Sequence, residues 1–277
     1  MRIRRARAAI VVAAFTAFML ATTTLAGAGA SAGRPAGDTG SGGRCHAGAP
    51  GVGDDYYPLY GNGGYDVRHY LLKVSYDPPT DRLTGVATIS SRATENLCRF
   101  NLDLQGLTVR SVAVDGRPAR WSRSLDHELT VTPKHPLRKG ERFTTVVRYD
   151  GVPRTQQIVI GPDFSIEAGF MHTDDGAVVA GEPEVAANWF PVNDHPIDKA
   201  AYTFVVTVPA GLEAVANGVL QGKQTIHGWT TWRWRAKEPM ASYLATATMG
   251  EFKLHSYRIG DLPALDAIDP QLFTVPA

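Results

Sequence analysis

One short segment of the chain collects the side chains best suited to hold a cation. It begins with Gly181 to Glu184, continues through Trp189-Phe190 and ends in a polar stretch with Asp194 and Lys199. Two carboxylates at a glycine–proline turn, next to two aromatic rings, can together bind an ammonium group. The same residues could instead form a solvated turn at a hydrophobic corner, and residue types alone favour that second interpretation.

Other patterns that could support catalysis each lack a necessary part. His127-Glu128 begins like the zinc signature H-E-x-x-H, but Val131 replaces the second histidine, and residues 128–132 are typical of a strand. Gly29 to Gly33 fits G-x-S-x-G without the strand and helix that a nucleophile elbow needs. The sequence contains no P-loop and no G-x-G-x-x-G. We therefore predict no catalytic residue, no metal ligand and no cofactor in this chain.

The two cysteines, Cys45 and Cys98, are candidates for a disulfide. They are the only cysteines in the sequence, and no C-x-x-C pattern indicates a redox or zinc role. A bridge between them would stabilise the fold by about 4 kcal/mol on the chain-entropy account. Two unpaired thiols are the alternative.

The N-terminus has the pattern of a secretory signal peptide. Arginines within the first seven residues precede an apolar run from Ala8 to Leu25, and small residues around Ala30 offer a cleavage site. A single membrane anchor is the alternative, because the run approaches the roughly 20 residues that span a bilayer. The Gly/Ala/Ser-rich continuation favours cleavage. We predict a signal peptide at 1–30, a secreted protein and no membrane association after cleavage.

The charge balance argues against nucleic acid as a partner. The chain has 28 basic and 27 acidic residues, and removal of the signal peptide leaves a slight acidic excess. Nucleic-acid-binding domains normally carry a clear basic surplus. With 44% hydrophobic and 20% charged residues, the sequence is that of a globular protein with a sizeable core.

Strands separated by turns occupy most of the chain beyond the signal peptide. Tyr70, Leu72, Val74 and Tyr76 alternate with other residues at the period of a half-buried strand. Asp115-Gly116 is a hairpin signal, because both turn positions tolerate positive φ. Further strands are predicted near 107–114, 128–132, 142–149, 203–208 and 213–216. These features predict an all-β, antiparallel fold of the saddle or sandwich type.

Composition divides the chain into four predicted regions. A flexible Gly-rich spacer at 31–53 follows the signal peptide, the β domain covers 54–258, and residues 259–277 form a linker. The stretch 151–185 has scattered Gly, Asp and Pro, so a long functional loop is expected there.

The segment around Glu182 resembles a motif of the aminopeptidase N family of zinc metallopeptidases. The residues similar to E-P-x-x-A-x-x-x-F-P-x-x-D-x-P-x-x-K are Glu182-Pro183, Trp189-Phe190-Pro191, Asp194, Pro196 and Lys199. Residues 202–218 look like the strand, turn and hairpin that follow in that family, and 239–252 resemble the strand that closes its N-terminal domain. The resemblance covers about Tyr65 to Phe252.

This resemblance implies an all-β N-terminal domain that packs against a thermolysin-like catalytic domain. In the family, the catalytic domain binds zinc through H-E-x-x-H and a second Glu, and it carries a G-x-M-E-N loop. Neither motif occurs in this sequence, and residues 259–277 would form a linker toward such a domain. The resemblance implies zinc for the full-length family and no activity for this chain alone.

The resemblance also assigns roles within the segment. In the family, the Glu of the E-P pair binds the free α-amine of the substrate, and the matching residue is Glu182. A peptide N-terminus is therefore the expected partner once a catalytic domain is supplied. Trp189, Asp194 and Lys199 are expected to support the loop. His195 stands where an acidic residue is common, and we expect this change to be structural.

Three function hypotheses from different classes follow, of which the weakest is a hydrolase with an unrecognised site. The first is the N-terminal, substrate-amine-binding domain of a secreted zinc aminopeptidase, which removes N-terminal residues from peptides. The second is a free-standing, non-catalytic β module that binds peptides or a protein partner.

Overall fold

The computed structural model describes residues 44–161, 163–182 and 185–274. The predicted signal peptide and the first part of the predicted spacer, up to residue 43, lie outside the described residues. Among the residues described, no helix is long and apolar enough to cross a membrane.

Strands make up most of the described chain, and its helices are single 3-10 turns. The strands are β1 (His46–Ala47), β2 (Tyr65–Asp77), β3 (Arg82–Ala93), β4 (Leu97–Asp103), β5 (Thr108–Val114), β6 (Arg117–Pro118), β7 (Arg120–Ser124), β8 (Glu128–Thr132), β9 (Arg142–Gly151), β10 (Thr155–Gly161), β11 (Phe164–His172), β12 (Ala177–Ala180), β13 (Ala200–Pro209), β14 (Glu213–Ala216), β15 (Val219–Ile226), β16 (Trp229–Met240), β17 (Ala247–Gly250), β18 (Lys253–Ile259) and β19 (Leu262–Ile268). The 3-10 helices are η1 (Pro78–Thr80), η2 (Ala186–Asn188), η3 (Ser242–Leu244) and η4 (Pro270–Thr274).

These strands form four sheets, which we name by their size. The eight-stranded sheet has the order β15-β16-β13-β2-β3-β9-β5-β6, and the five-stranded sheet has the order β10-β11-β12-β17-β14. The four-stranded sheet runs β1-β4-β8-β7, and β18 pairs with β19 alone. Buried side chains of the three larger sheets, such as Leu72, Phe170 and Leu129, belong to one hydrophobic core. The prediction of an all-β fold is confirmed.

Strand β2 shows how the sequence period builds this core. The four alternating residues from Tyr70 to Tyr76 are all buried, as predicted. A register shift between Val67 and His69 moves the buried positions from odd to even numbers. The predicted Asp115-Gly116 hairpin is also present between β5 and β6, with φ of 49° and 72° at its two residues.

Two strand pairs are parallel, within a fold that is predominantly antiparallel as predicted. Strand β13 lies parallel to β2, with Phe204 opposite Leu72, and β1 lies parallel to β4. Parallel neighbours need a long crossover connection rather than a hairpin. Here the chain forms β10, β11 and β12 of the five-stranded sheet before β13 pairs with β2. The local turn signals therefore do not predict the β2–β13 pairing.

The structure also corrects the predicted loop at 151–185. This stretch contains β10, β11 and β12, which pair as successive antiparallel neighbours. A glycine here does not necessarily mark a loop, because Gly169 lies within β11 with φ of 85° and faces Asn188 closely. Short connections such as residues 173–176 join these strands, and Gly181 and Glu182 follow β12 outside the sheet.

The ordered β structure extends beyond both predicted boundaries. Residues 44–53 belong to it in part, because β1 pairs with β4 and Gly63 donates a backbone hydrogen bond of 3.0 Å to Ala49. At the other end, β19 falls within the predicted linker and pairs with β18 along its whole length. The predicted spacer therefore overlaps β1 (His46–Ala47), and the predicted linker overlaps β19 (Leu262–Ile268).

Candidate functional site

Glu182 lies on an exposed bend directly after strand β12. Gly181 precedes it with φ of 153°, and an added Cβ there would lie 2.8 Å from Val185 and 2.9 Å from Ala168. Only glycine therefore fits between β11 and the segment that follows the bend, which comprises residues 185–199. The close approach fixes the backbone from which the Glu182 carboxylate extends into solvent.

The segment after the bend is anchored by two aromatic rings. Trp189 and Phe190 are 1% and 0% exposed, and their ring centroids lie 4.6 Å apart in an edge-to-face arrangement. Phe190 packs edge-to-face against Tyr70, and Trp189 stacks on Phe204 at 6.3 Å. Both aromatics belong to the core and do not line an exposed amine site. The supporting role expected of Trp189 stays a prediction.

Asp194 ties the segment together from inside the protein. Its Oδ2 accepts a hydrogen bond of 3.0 Å from the Ala187 amide, and its Oδ1 accepts one of 2.7 Å from Ser242 Oγ. Burial raises the pKa of Asp194 to about 6, while the hydrogen bonds from Ser242 and Ala187 act in the opposite direction. These contacts join Asp194 to Ala187 and Ser242, and its role in supporting the loop stays a prediction.

The end of strand β4 provides a second set of attachments. Asp103 and Val192 exchange backbone hydrogen bonds of 2.7 and 3.0 Å. The Gln105 backbone amide donates a hydrogen bond of 2.7 Å to the Ala187 carbonyl oxygen. The Asp194 amide donates 2.8 Å to Asp103 Oδ2. The four-stranded sheet thus holds the segment that follows Glu182.

Asn193 and Asp198 connect this segment to the start of strand β2. Asn193 Nδ2 donates to Asp198 Oδ2 at 2.6 Å, and Asn193 Oδ1 accepts from the Asn62 amide at 2.6 Å. Asp198 also accepts from the Val67 amide. Burial raises the pKa of Asp198 to about 7. Sequence reasoning did not single out Asn193 or Asp198, because neither has a recognisable motif role.

Lys199 and His195 occupy the outer side of the same segment. Lys199 is exposed, and the part of the chain that the structure describes offers its side chain no ion pair, so its supporting role stays a prediction. His195 Nε2 lies 3.4 Å from Asp54 Oδ2, and its Nδ1 accepts from the Ile197 amide at 3.2 Å. These contacts agree with the structural role expected for His195.

A second group of side chains that can ligate a metal lies where β4 and β8 meet. Asp103, His127 and Glu128 place ligating atoms within 4.8 Å of one another. Burial raises the pKa of the Asp103 and Glu128 carboxyls, that of Glu128 to about 7. The rejection of H-E-x-x-H is supported, because Glu128 begins a strand. Sequence spacing did not predict this grouping, since it arises from cross-strand pairing.

The predicted disulfide partners are joined in the structure. Cys45 and Cys98 form a disulfide with a Cα–Cα distance of 5.1 Å. Cys45 precedes β1 and Cys98 lies in β4, so the bridge fastens the first described residues to the four-stranded sheet.

Comparisons with known proteins agree with these observations. The family described as the peptidase M1 N-terminal domain matches residues 66–244. Among solved structures, an M1 zinc metallopeptidase from Deinococcus radiodurans is 29% identical with a TM-score of 0.70, over 78% of this chain and 49% of that chain. A mutant of that enzyme bound to a Tyr-Ser-Ala substrate gives the same identity and TM-score, over 78% and 50%.

A two-domain M1 zinc metallopeptidase mutant bound to L-arginine is equally similar, with 29% identity, a TM-score of 0.70 and coverage of 78% and 50%. The chain therefore spans about half the length of these solved relatives. Comparison with curated proteins gives no match.

Proposed function

Because this chain belongs to the peptidase M1 family through its N-terminal domain, we propose that it is the substrate-amine-binding domain of a secreted zinc aminopeptidase. The observation that carries the proposal is the position of Glu182. Its carboxylate is exposed on a bend that Gly181 fixes against β11, and the following segment is anchored in the core by Trp189 and Phe190.

The chemistry of Glu182 suits a free α-ammonium group. A carboxylate forms charge-assisted hydrogen bonds with an ammonium, and a fixed backbone reduces the entropy lost on binding. Solved relatives have been obtained with Tyr-Ser-Ala, L-arginine and L-tryptophan, each of which has a free α-amine. On the isolated domain the pair would be solvated and worth at most about 1 kcal/mol. A second domain that excludes water would strengthen it.

Catalytic zinc does not fit the residues around Glu182. Zinc that activates water needs three protein ligands and an open position. The one group of suitable side chains found among the described residues, which contains Asp103 and Glu128, is buried in the interior. We therefore assign hydrolysis to a zinc-binding domain of the whole enzyme and amine recognition to this chain.

Two features support secretion. The N-terminal residues have the composition of a signal peptide, and the Cys45–Cys98 disulfide is of the kind that persists in oxidising compartments.

A chimera tests the proposal. Residues 44–274 would replace the matching half of the Deinococcus radiodurans metallopeptidase, and kcat/KM would be measured on aminoacyl substrates. Glu182→Gln should lower kcat/KM by about 30- to 1000-fold, the scale for removing one partner of a desolvated charge pair. Glu167→Gln, an exposed change on neighbouring β11, is the control. An active chimera with unchanged kcat/KM in Glu182→Gln would remove Glu182 from the site.

A further inference from the structure

Three side chains that can ligate a metal converge between neighbouring strands. Asp103 ends β4 and Glu128 begins β8, and the two residues are direct cross-strand partners, so their side chains lie on the same face. His127 precedes Glu128, and its Nε2 lies 4.0 Å from Glu128 Oε2. The Tyr60 ring stacks on the imidazole with a centroid separation of 4.9 Å.

Several oxygens in this group have no hydrogen-bond partner within the described part of the chain. They are Asp103 Oδ1, both carboxylate oxygens of Glu128 and Asn62 Oδ1. The three residues are 0%, 3% and 2% exposed, respectively. Asn62 Nδ2 donates 3.0 Å to Asp103 Oδ2, which brings its amide group against the carboxylates.

Two buried carboxylates without a lysine or arginine partner are an unusual arrangement. Over residues 44–274, apart from the short undescribed gaps, no lysine or arginine forms an ion pair with Asp103 or Glu128; the arginine pairs are with Asp66 and Asp150. Buried charges in proteins are normally paired or bound to a metal. The Asp54–Asn62 stretch covers the group, and its Leu59 carbonyl oxygen accepts a hydrogen bond of 3.0 Å from His127 Nε2. Metal binding at this nitrogen would replace that hydrogen bond.

We propose that Asp103, Glu128, His127 and Asn62 form a structural site for one divalent transition-metal cation, Mn²⁺ or Zn²⁺. Two carboxylates would balance the charge, and the set combines oxygen donors with an imidazole, which these ions accept together. Ca²⁺ fits less well because it takes six to eight oxygen ligands. Ligands about 2.1 Å from one ion lie at most about 4.2 Å apart, so a separation of 4.8 Å closes with small side-chain rotations.

The proposed cation site is directly connected to the segment that follows Glu182. Asp103 Oδ2 accepts the Asp194 amide, and the Asp103 backbone pairs with Val192. A cation on the free oxygen, Oδ1, would fix the Asp103 carboxylate and with it the segment that follows Glu182. The inference does not depend on the proposed function, because binding is measured without a peptide.

Metal titration of the purified, chelator-treated chain tests the site. Mn²⁺ binding would be followed by electron paramagnetic resonance, and thermal unfolding would be recorded with Mn²⁺ or Zn²⁺. We expect one equivalent to bind and Tm to rise by about 5 to 10 °C at a free metal concentration about 100 times Kd. Absence of both effects in the unmodified chain would overturn the proposal and indicate that the carboxyls share a proton.

Variants locate the binding. Glu128→Gln should weaken binding at least tenfold without lowering Tm in the metal-free state, because it removes an unpaired buried charge. His127→Gln at the more accessible side of the group should do the same if Glu128→Gln fails to fold. The control is His46→Gln, which removes an exposed histidine that contacts Glu95. Binding that survives in the Glu128 and His127 variants, or is lost in His46→Gln, would refute the site.

Discussion

Ser242 donates a hydrogen bond of 2.7 Å to Asp194 although 48 residues separate the two in sequence. The contact links η3 to the segment that follows Glu182. Both residues are 1% exposed. Removal of the Ser242 hydroxyl would leave one oxygen of the buried Asp194 carboxylate without this hydrogen bond, which costs free energy. The Ser242–Asp194 hydrogen bond therefore stabilises the candidate site.

Ser242→Ala should therefore destabilise the protein by about 1.5 to 3 kcal/mol, the usual scale for a hydrogen bond to a charged group. Urea unfolding followed by tryptophan fluorescence would measure the change. The control is Ser122→Ala on strand β7, where the side chain is exposed and little change is expected. Equal stability of the two variants would show that the Asp194 contact contributes nothing.

Gly181→Ala should cost more than the same substitution at Gly222. Both residues have nearly the same φ, 153° and 155°, but an added Cβ at Gly181 meets Val185 and Ala168, whereas nothing lies within 4 Å at Gly222. Both substitutions would cause similar backbone strain, but only the Cβ added at position 181 would clash with neighbouring atoms. We expect the Gly181 variant to be less stable by about 1 to 3 kcal/mol. Equal unfolding free energies would contradict the close packing described for the bend.

The pKa of Asp198, raised by burial to about 7, predicts a pH dependence. The Asp198 carboxyl keeps its proton up to about pH 7 in the folded protein but only up to about pH 4 in the unfolded chain. Its contribution to the unfolding free energy is therefore fully present below about pH 4. It is lost as pH rises to about 7, by up to about 4 kcal/mol. Nearby Asp66 adds to the rise of the pKa, and Arg68 opposes it.

Asp198→Asn should flatten this part of the profile. The difference in unfolding free energy between the original chain and the variant should change between pH 4 and 7 and stay constant above pH 8. Asp261→Asn, an exposed change in the β18–β19 turn, should leave the profile intact. A difference that is the same at every pH would rule out titration of Asp198.

Loss of the Cys45–Cys98 bridge should lower stability by about 2 to 5 kcal/mol. The double variant Cys45→Ala/Cys98→Ala removes the covalent link between β1 and β4 while β4 itself keeps its pairing with β8. Reductant should destabilise the original chain to a similar extent and leave the variant unaffected. A reductant effect on the variant would assign the change to another cause.

The purified chain should not hydrolyse aminoacyl anilides, with or without added zinc. Water activation requires three zinc ligands and an open coordination position, and the residues beside Glu182 supply neither. The Deinococcus radiodurans enzyme, assayed in parallel, is the positive control. Zinc-dependent turnover that disappears in a Glu182 or His127 variant would show that a catalytic site has been missed.

Much of the fold could be predicted because its strands alternate cleanly. Tyr70 to Tyr76 and the Asp115-Gly116 turn follow local rules of period and backbone conformation, and the structure agrees with both. The strands at 155–180 escaped prediction because exposed apolar residues such as Val159 and Phe164 break the alternation. The sequence therefore resembled a loop where the structure has a hairpin.

The candidate site was partly predictable for a similar reason. Glu182 stands in a motif whose spacing is visible in one stretch of sequence, and its role in binding stays a proposal. The partnership of Asp103 with Glu128 depends on the pairing of β4 with β8, which no local pattern specifies. When only strand pairing brings two residues together, their proximity can be predicted only after the sheet topology is known.

The parallel pairing of β13 with β2 also bears on synthesis. Leu72 is made about 130 residues before its neighbour Phe204, an interval of roughly 7 to 26 s at typical translation rates of about 5–20 residues per second. During that time one edge of β2 has open backbone donors and acceptors, which invite pairing with other chains. Nascent chains shorter than about 210 residues should therefore aggregate far more readily than the finished chain. Slower synthesis between β3 and β13 would lower the soluble yield without changing the stability of the product.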